Sequence, residues 1–180
     1  GEIQQAIETV ARYANVQLID FHEPLYRYPF MLPDAVHPTV EGAGILAGVV
    51  YSAITGDYGG LRLSEIYSDN MVLQCGCPLD IHGVADAGEK VTVSIAGQTE
   101  SAKAGANGKW AVCLKPLQPG GPHTLTVSTG KRRLHFENVL VGEVWLCSGQ
   151  SNMEFMMKEG VDGKVDIPQS GNAGIRLFDM

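Results

Sequence analysis

Charge is scarce in this sequence, and no stretch of it is strongly basic. Charged residues make up 18% of the 180 residues, and 13 Lys+Arg against 20 Asp+Glu leave a formal charge of -7. No basic run exceeds Lys131-Arg132-Arg133, so the concentrated positive face that a duplex binder needs is missing. Long apolar runs are missing too: stretches such as Gly44–Val50 fall far short of the roughly 18 residues of a membrane span. Neither nucleic acid nor membrane is expected as a partner. No basic, apolar and small-residue leader pattern opens the sequence. Cysteine is sparse as well. Cys75, Cys77, Cys113 and Cys147 are too few for a disulfide scaffold at this length. The one-residue gap between Cys75 and Cys77 fits neither a zinc knuckle nor a redox Cys-x-x-Cys pair, so packed or surface thiols are expected.

What is present favours a folded chain. Hydrophobic residues reach 44%, with 22 Gly and 9 Pro to supply turns, a composition unlike that of disordered segments. Three textures follow one another. In residues 1–56, Ile3, Ala6, Ile7, Val10 and Ala11 recur at helical spacing and predict a helix over 2–14. A short strand is expected at VQLIDF, and a loop through Pro24, Pro29 and Pro33. A second helix should start after Thr39 and end at Gly56. Its glycines, Gly42, Gly44 and Gly48, lower helix propensity, and close packing on a sheet is the expected compensation. In residues 57–140, short segments such as KVTVSIAG, KWAVCL and HTLTVS alternate apolar with polar residues between turn signals. That rhythm predicts an antiparallel β-sandwich. Residues 141–180 return to α/β texture: a strand GEVWLC, a helix SNMEFMMKE and a strand GIRLFDM are expected, as in a parallel crossover unit.

Two places carry chemistry. Asp34 stands three residues before His37 on a Pro-rich loop. Such spacing lets a carboxylate hold imidazole Nδ1 and leave Nε2 as a general base; equally, it describes a loop pair that only hydrogen-bonds. The second place is Cys147-Ser148-Gly149-Gln150-Ser151-Asn152-Met153, directly after an apolar strand. A serine at a sharp strand-to-helix turn is exposed and sits near helix N–H groups; a serine there also serves as an ordinary helix cap with Glu154 three residues on.

Residues 138–154, NVLVGEVWLCSGQSNME, closely resemble the nucleophile segment of the sialate O-acetylesterase family, carbohydrate esterases of the SGNH hydrolase superfamily. Ser68-Asp-Asn-Met-Val-Leu-Gln74, His82-Gly83, Gly108-Lys-Trp110 and Pro119-Gly120 resemble the β-sandwich that precedes it. The resemblance runs from about residue 61 to 180 and implies Ser151 as nucleophile, with the Ser151 backbone amide as one oxyanion-hole donor. Residues 2–56 are similar to the carboxy-terminal end of an SGNH (GDSL-type) hydrolase. There, LPDAVHPTVEGAGILAGVV matches an Asp-x-x-His-Pro motif and its closing helix, with Ala35 where glycine is usual. This implies His37 as base and Asp34 as its orienting partner.

The order is inverted, because the acid–base motif precedes the nucleophile with the predicted sandwich between. The superfamily's further oxyanion donors, a Gly and an Asn from middle blocks, have no matching Gly-x-Asn-Asp segment. The expected architecture is therefore α/β plus all-β. SGNH-type (flavodoxin-like) pieces, residues 1–56 and 141–180, flank a sandwich over 57–140, and Ser151 and the Asp34/His37 pair lie in different half-sites. Only a permutation or an exchange between chains would join them. The expected function is removal of O-acetyl groups from glycans, sialate or plant cell-wall (acetylxylan) esters alike, in an extracellular or periplasmic setting, since such polymers lie outside the cytoplasm. An acetylated saccharide is the expected partner, flanking sequence is expected to supply the remainder of each hydrolase, and no metal or organic cofactor is implied. The rival is a non-catalytic module that binds carbohydrate or acts as scaffold. Trp110 motivates it as a sugar-stacking residue, against the alternative that Trp110 is core.

Overall fold

The structure, a computed structural model, describes residues 2–26 and 28–178. Its organising element is a set of eight strands: β1 (Arg62–Leu63), β2 (Val72–Gln74), β3 (Leu79–Val84), β4 (Lys90–Ile95), β5 (Gln98–Lys103), β6 (Lys109–Leu114), β7 (Gly120–Ser128) and β8 (Arg133–Gly142). They form a three-stranded sheet in the order β1-β3-β6 and a five-stranded sheet in the order β2-β8-β7-β4-β5. Alternation explains why both sheets face one core. Val91, Val93 and Ile95 of β4 point inward, as do Trp110, Val112 and Leu114 of β6, Leu125 and Val127 of β7, and Val139 and Val141 of β8. Ile81 of β3 and Leu61 close the same cluster. At period two, every second residue along β4 and β6 meets the core and the rest face out.

The strands differ from expectation in three ways. Pairing is not antiparallel throughout, because β2 runs parallel to β8, with Val72 opposite Leu140. The polar segment Gln98–Lys103, not anticipated as a strand, pairs in full with β4. It sits at the sheet edge, where burial does not demand an apolar pattern. Third, β8 continues without a break through residue 140 to Gly142, and the chain leaves the sheet at the place where a separate strand GEVWLC was expected.

Outside the sheets, α1 (Glu2–Tyr13) and α3 (Val40–Thr55) fall where the periodicity places them. Thr39 caps α3 by accepting the Gly42 amide at 3.2 Å, and Gly56 ends it with φ 73. A short α2 (Glu23–Tyr26) buries Leu25 beside it. Among the described residues no sheet packs where α3 was expected to meet one: no other element comes within 4 Å of an ideal Cβ at Gly44 or Gly48, whereas Gly42 is closely approached by Met31 and Pro38.

Neither VQLIDF, Glu143–Cys147 nor the described part of GIRLFDM is a strand; the last two residues of that segment lie outside the described residues. A strand needs a neighbour to receive its backbone hydrogen bonds, and among the described residues these three segments do not pair with one another. The expected helix SNMEFMMKE is split into α4 (Ser151–Glu154) and a 3-10 turn at Met157–Glu159, with α5 (Gly163–Asp166) beyond. Met153, Met156, Met157 and Trp145 are exposed instead of packed. No helix among the described residues is long and apolar enough to cross a membrane.

The helical segment is joined to the sheets through a short, well-bonded connection. The Ala87 amide donates to the Gly56 carbonyl at 2.9 Å. Asp86 Oδ1 accepts the amides of Tyr58 and Gly60, each at 3.0 Å, and the Tyr58 hydroxyl donates to the Ala106 carbonyl at 2.8 Å. Lys109 of β6 reaches Glu23 of α2 at 2.8 Å.

Candidate active site

The Asp34–His37 loop is built by local hydrogen bonds. The Thr39 amide donates to the Met31 carbonyl at 2.8 Å, and the Ala35 amide to Leu32 at 2.9 Å, which folds residues 31–39 into a closed turn. Within it Asp34 Oδ1 accepts the amides of Val36 at 3.0 Å and His37 at 2.6 Å. The other carboxylate oxygen lies 2.6 Å from His37 Nδ1. A carboxylate there can only accept, so Nδ1 carries its proton toward Asp34; in the neutral imidazole that is the tautomer a general base requires. Ala35 adopts φ 63, a left-handed conformation in which a side chain costs roughly 1–2 kcal/mol. That is the physical reason a glycine would be at ease there.

Electrostatics agree with the geometry. The Asp34 carboxyl is lowered to about 2, first by its hydrogen bond with the His37 ring and then by the His37 and Val36 amides. A depressed carboxylate pKa contributes order that is complete above the ordinary value of 3.8 and is lost as pH falls through about 2. A carbon-detected titration of the Asp34 side chain is therefore expected to show a midpoint near 2, rising toward the ordinary range in His37→Ala but staying below it because the Val36 and residue-37 amides remain. A wild-type midpoint near 3.8 would dismiss the preformed pair. Both side chains are open to solvent, His37 at 81% and Asp34 at 54%, so water is not excluded from this pair.

Ser151 is the first residue of α4, with Gln150 as its non-helical N-cap. The turn forms because the Met153 amide donates to the Gln150 carbonyl at 2.8 Å. Gly149 lets the chain fold close against Met153, whose Cβ would be 3.2 Å from any added side chain. Cys147, Ser148, Gly149, Gln150, Ser151 and Met153 line a shallow, open depression. A capping role for Glu154 lies outside the described residues. At its root the segment is held to the sheet: the Val144 amide donates to Gln74 Oε1 at 2.9 Å, and the Cys75 thiol to Glu143 at 3.4 Å.

The structure brings Asp34 and His37 together, and no hydrogen bond among the described residues joins His37 to Ser151. Trp110 is corrected: at 4% exposure it lies in the core, with no face open to a sugar ring. His82, His123 and His135 belong to no metal-ligating group among the described residues, and all four cysteines are free, with Cys75 half-buried and the others exposed. Arg176, which sequence reading passed over inside an expected strand, makes the most extensive side-chain contacts of residues 144–178. Asn70 and Asn138, its indirect and direct partners, take positive φ of 66 and 55. The signal for such turns was present in the dipeptides Asp69-Asn70 and Glu137-Asn138.

The two-sheet unit with a serine turn at its exit defines a class. A crystal structure of a carbohydrate acetylesterase from Xanthomonas citri is similar, with TM-score 0.60 and 34% identity over 62% of this chain and 26% of that one. The particular family follows from the curated relatives. A sialate O-acetylesterase of Rattus norvegicus is 35% identical over 135 residues, 67% of this chain and 24% of its own length. The Homo sapiens sialate O-acetylesterase is 36% identical over 109 residues, 53% of this chain and 20% of its own length. The chain belongs to the sialate O-acetylesterase family, and it spans about a quarter of the length of the first of these relatives. No family model matches it.

Proposed function

We propose that this chain is part of a carbohydrate esterase that removes O-acetyl groups from glycans, with Ser151 as nucleophile. The Gly-Gln-Ser-Asn-Met turn at the exit of the strand core is the observation that carries the reading. In the proposed reaction Ser151 Oγ bonds to the acetyl carbonyl carbon as its proton passes to a histidine. The bond to the sugar oxygen then breaks, that oxygen takes the proton, and an acetyl-serine remains for water to hydrolyse. The Ser151 amide would be one donor to the oxyanion.

The base for Ser151 is proposed to come from sequence beyond these 180 residues, and Asp34–His37 to serve a different serine. Residues 1–56 and 141–180 are then SGNH-type pieces on either side of a β-sandwich over 57–140. Exposed Val144, Trp145 and Leu146 on one side, and Val16, Leu18 and Ile19 on the other, support it. Both triplets read as buried strands and, among the described residues, belong to neither sheet. Acetylated glycan polymers as substrate place the proposed site of action outside the cytoplasm. The carbohydrate-binding rival loses its motive with the burial of Trp110, and a scaffolding role for the sandwich is part of this proposal.

Hydrolysis of a small acetyl ester tests it. In a longer protein carrying a downstream Asp-x-x-His, Ser151→Ala should lower the rate on the order of 10⁴-fold or more. His37→Ala should leave that reaction unchanged. The 180-residue chain alone should not exceed its own Ser151→Ala variant. Hydrolysis by the short chain, lost in both variants, would overturn the two-site arrangement.

A further inference from the structure

We propose that Arg176 is a positioning residue that closes the Ser151-bearing segment back onto the strand pair from which it departs. The guanidinium donates through Nη2 to Asn138 Oδ1 at 3.1 Å, and through Nη1 to the carbonyls of Met71, at 3.4 Å, and Asn138. These acceptors are themselves fixed. Asn138 Nδ2 donates to Asn70 Oδ1 at 2.8 Å, the Asn70 amide to the Glu137 carbonyl at 3.0 Å, and the Glu137 amide to Asp69 Oδ1 at 2.7 Å. Asn70 and Asn138 hold left-handed conformations, which asparagine tolerates better than other residues with a side chain. The result is a pair of mutually bonded turns that, with Met71 beside them, offer three acceptors to one cation.

The position of this clamp gives it a consequence. Met71 and Asn138 lie immediately beside the parallel β2–β8 ladder, where the Leu140 amide donates to the Met71 carbonyl at 3.0 Å. The same β8 ends at Gly142 and releases the segment that carries Ser151. Residues 143–175 are therefore an excursion with both ends tied to one strand pair, at Gly142 by the ladder and at Arg176 by the clamp. Tying the second end removes most of the conformations open to a free tail. Few buried contacts do so otherwise: of the excursion's described residues only Gly163 is buried. The planar fork of arginine suits three acceptors held in one place, which a single ammonium does not.

The tether stands on geometry alone, and its consequence for catalysis rests on the reading of Ser151 as nucleophile. Nitrogen relaxation on the 180-residue chain tests the first. Backbone order parameters at residues 175–177 are expected to fall from about 0.8 to below about 0.6 in Arg176→Ala, with β4 and β7 unchanged. Arg176→Lys should restore part of the order, and Asn138→Gly, which keeps the turn and its carbonyl but removes Oδ1, should fall between. Unchanged order in Arg176→Ala would overturn the proposal. In the longer acetylesterase, Arg176→Ala should lower kcat for a small acetyl ester on the order of tenfold or more, with KM within about twofold, because a displaced nucleophile loses alignment more than substrate binding. A lost tether with kcat unchanged would overturn the positioning role. Hydrolysis indifferent to Ser151→Ala would instead refute the nucleophile reading, leaving the relaxation result to decide on the tether.

Discussion

Trp110→Ala is expected to destabilise the strand core severely. Trp110 sits on β6 opposite Gly83 of β3, and its ring occupies the space a side chain at 83 would need: an ideal Cβ there would lie 2.9 Å from Cζ2 of the indole and 2.2 Å from the Arg62 carbonyl oxygen. Only glycine lets β1 and the indole close on β3 together. Removing the ring leaves a large cavity among Ile81, Val112 and Leu114, and such truncations cost about 3–5 kcal/mol. Small domains have only about 5–15 kcal/mol in all, so the melting temperature should drop by roughly 12 °C or more. Trp110→Phe should be far milder. The indole Nε1 is buried with no hydrogen-bond partner among the described residues, and phenylalanine discards that unpaired donor while keeping most of the apolar surface. Thermal melts by circular dichroism decide it. An alanine variant that melts within about 2 °C of wild type would show that the ring does not fill the core.

Asp86→Ala is expected to uncouple the helical segment from the sheets. Asp86 Oδ1 accepts the Tyr58 and Gly60 amides, each at 3.0 Å, and Oδ2 faces Lys131 at 3.5 Å. These contacts hold its carboxyl below the ordinary range, the Gly60 amide contributing most, then Tyr58, then Lys131. Because the folded value is depressed, the stabilisation is complete above the ordinary carboxylate pKa and disappears as pH falls through the folded one. Alanine leaves two amides without their acceptor, a loss of about 2–4 kcal/mol at neutral pH. The Tyr58 ring should be released with them. It lies where a side chain at Gly108 would stand, its Cγ 2.4 Å from that ideal Cβ. Asp86→Asn keeps Oδ1 and should recover most of the difference at neutral pH, with a weaker acid dependence. Amide shifts of Tyr58 and Gly60 report the joint directly, and shifts unmoved in Asp86→Ala would refute its role.

The two halves of the Asp34–His37 arrangement were legible because they are local. Three residues of spacing and a proline-bounded loop suffice to bring a carboxylate to an imidazole, and the structure places them at 2.6 Å. Helices α1 and α3 were legible for the same reason: periodicity, the Thr39 cap and the Gly56 stop are all within one segment. Strands β4, β6 and β7 announced themselves by alternation because one of their faces is buried. Polar β5 did not, since its pairing depends on β4 and not on its own side chains. VQLIDF and residues 143–147 of GEVWLC show the reverse failure. Their composition asks for a buried strand, yet backbone hydrogen bonds come only from a neighbour, and among the described residues each lies outside both sheets.

By itself, then, the sequence determined the local devices: the Asp34–His37 loop, the two longer helices, the alternating strands and the serine turn. Only the tertiary structure decided that Trp110 is core, that β2 joins β8 in parallel, and that Arg176 meets Asn138 across a gap of 38 residues. The physical reason is range. Spacing and propensity act within a turn or a strand, whereas burial, register and a three-acceptor guanidinium site exist only once distant segments share one surface.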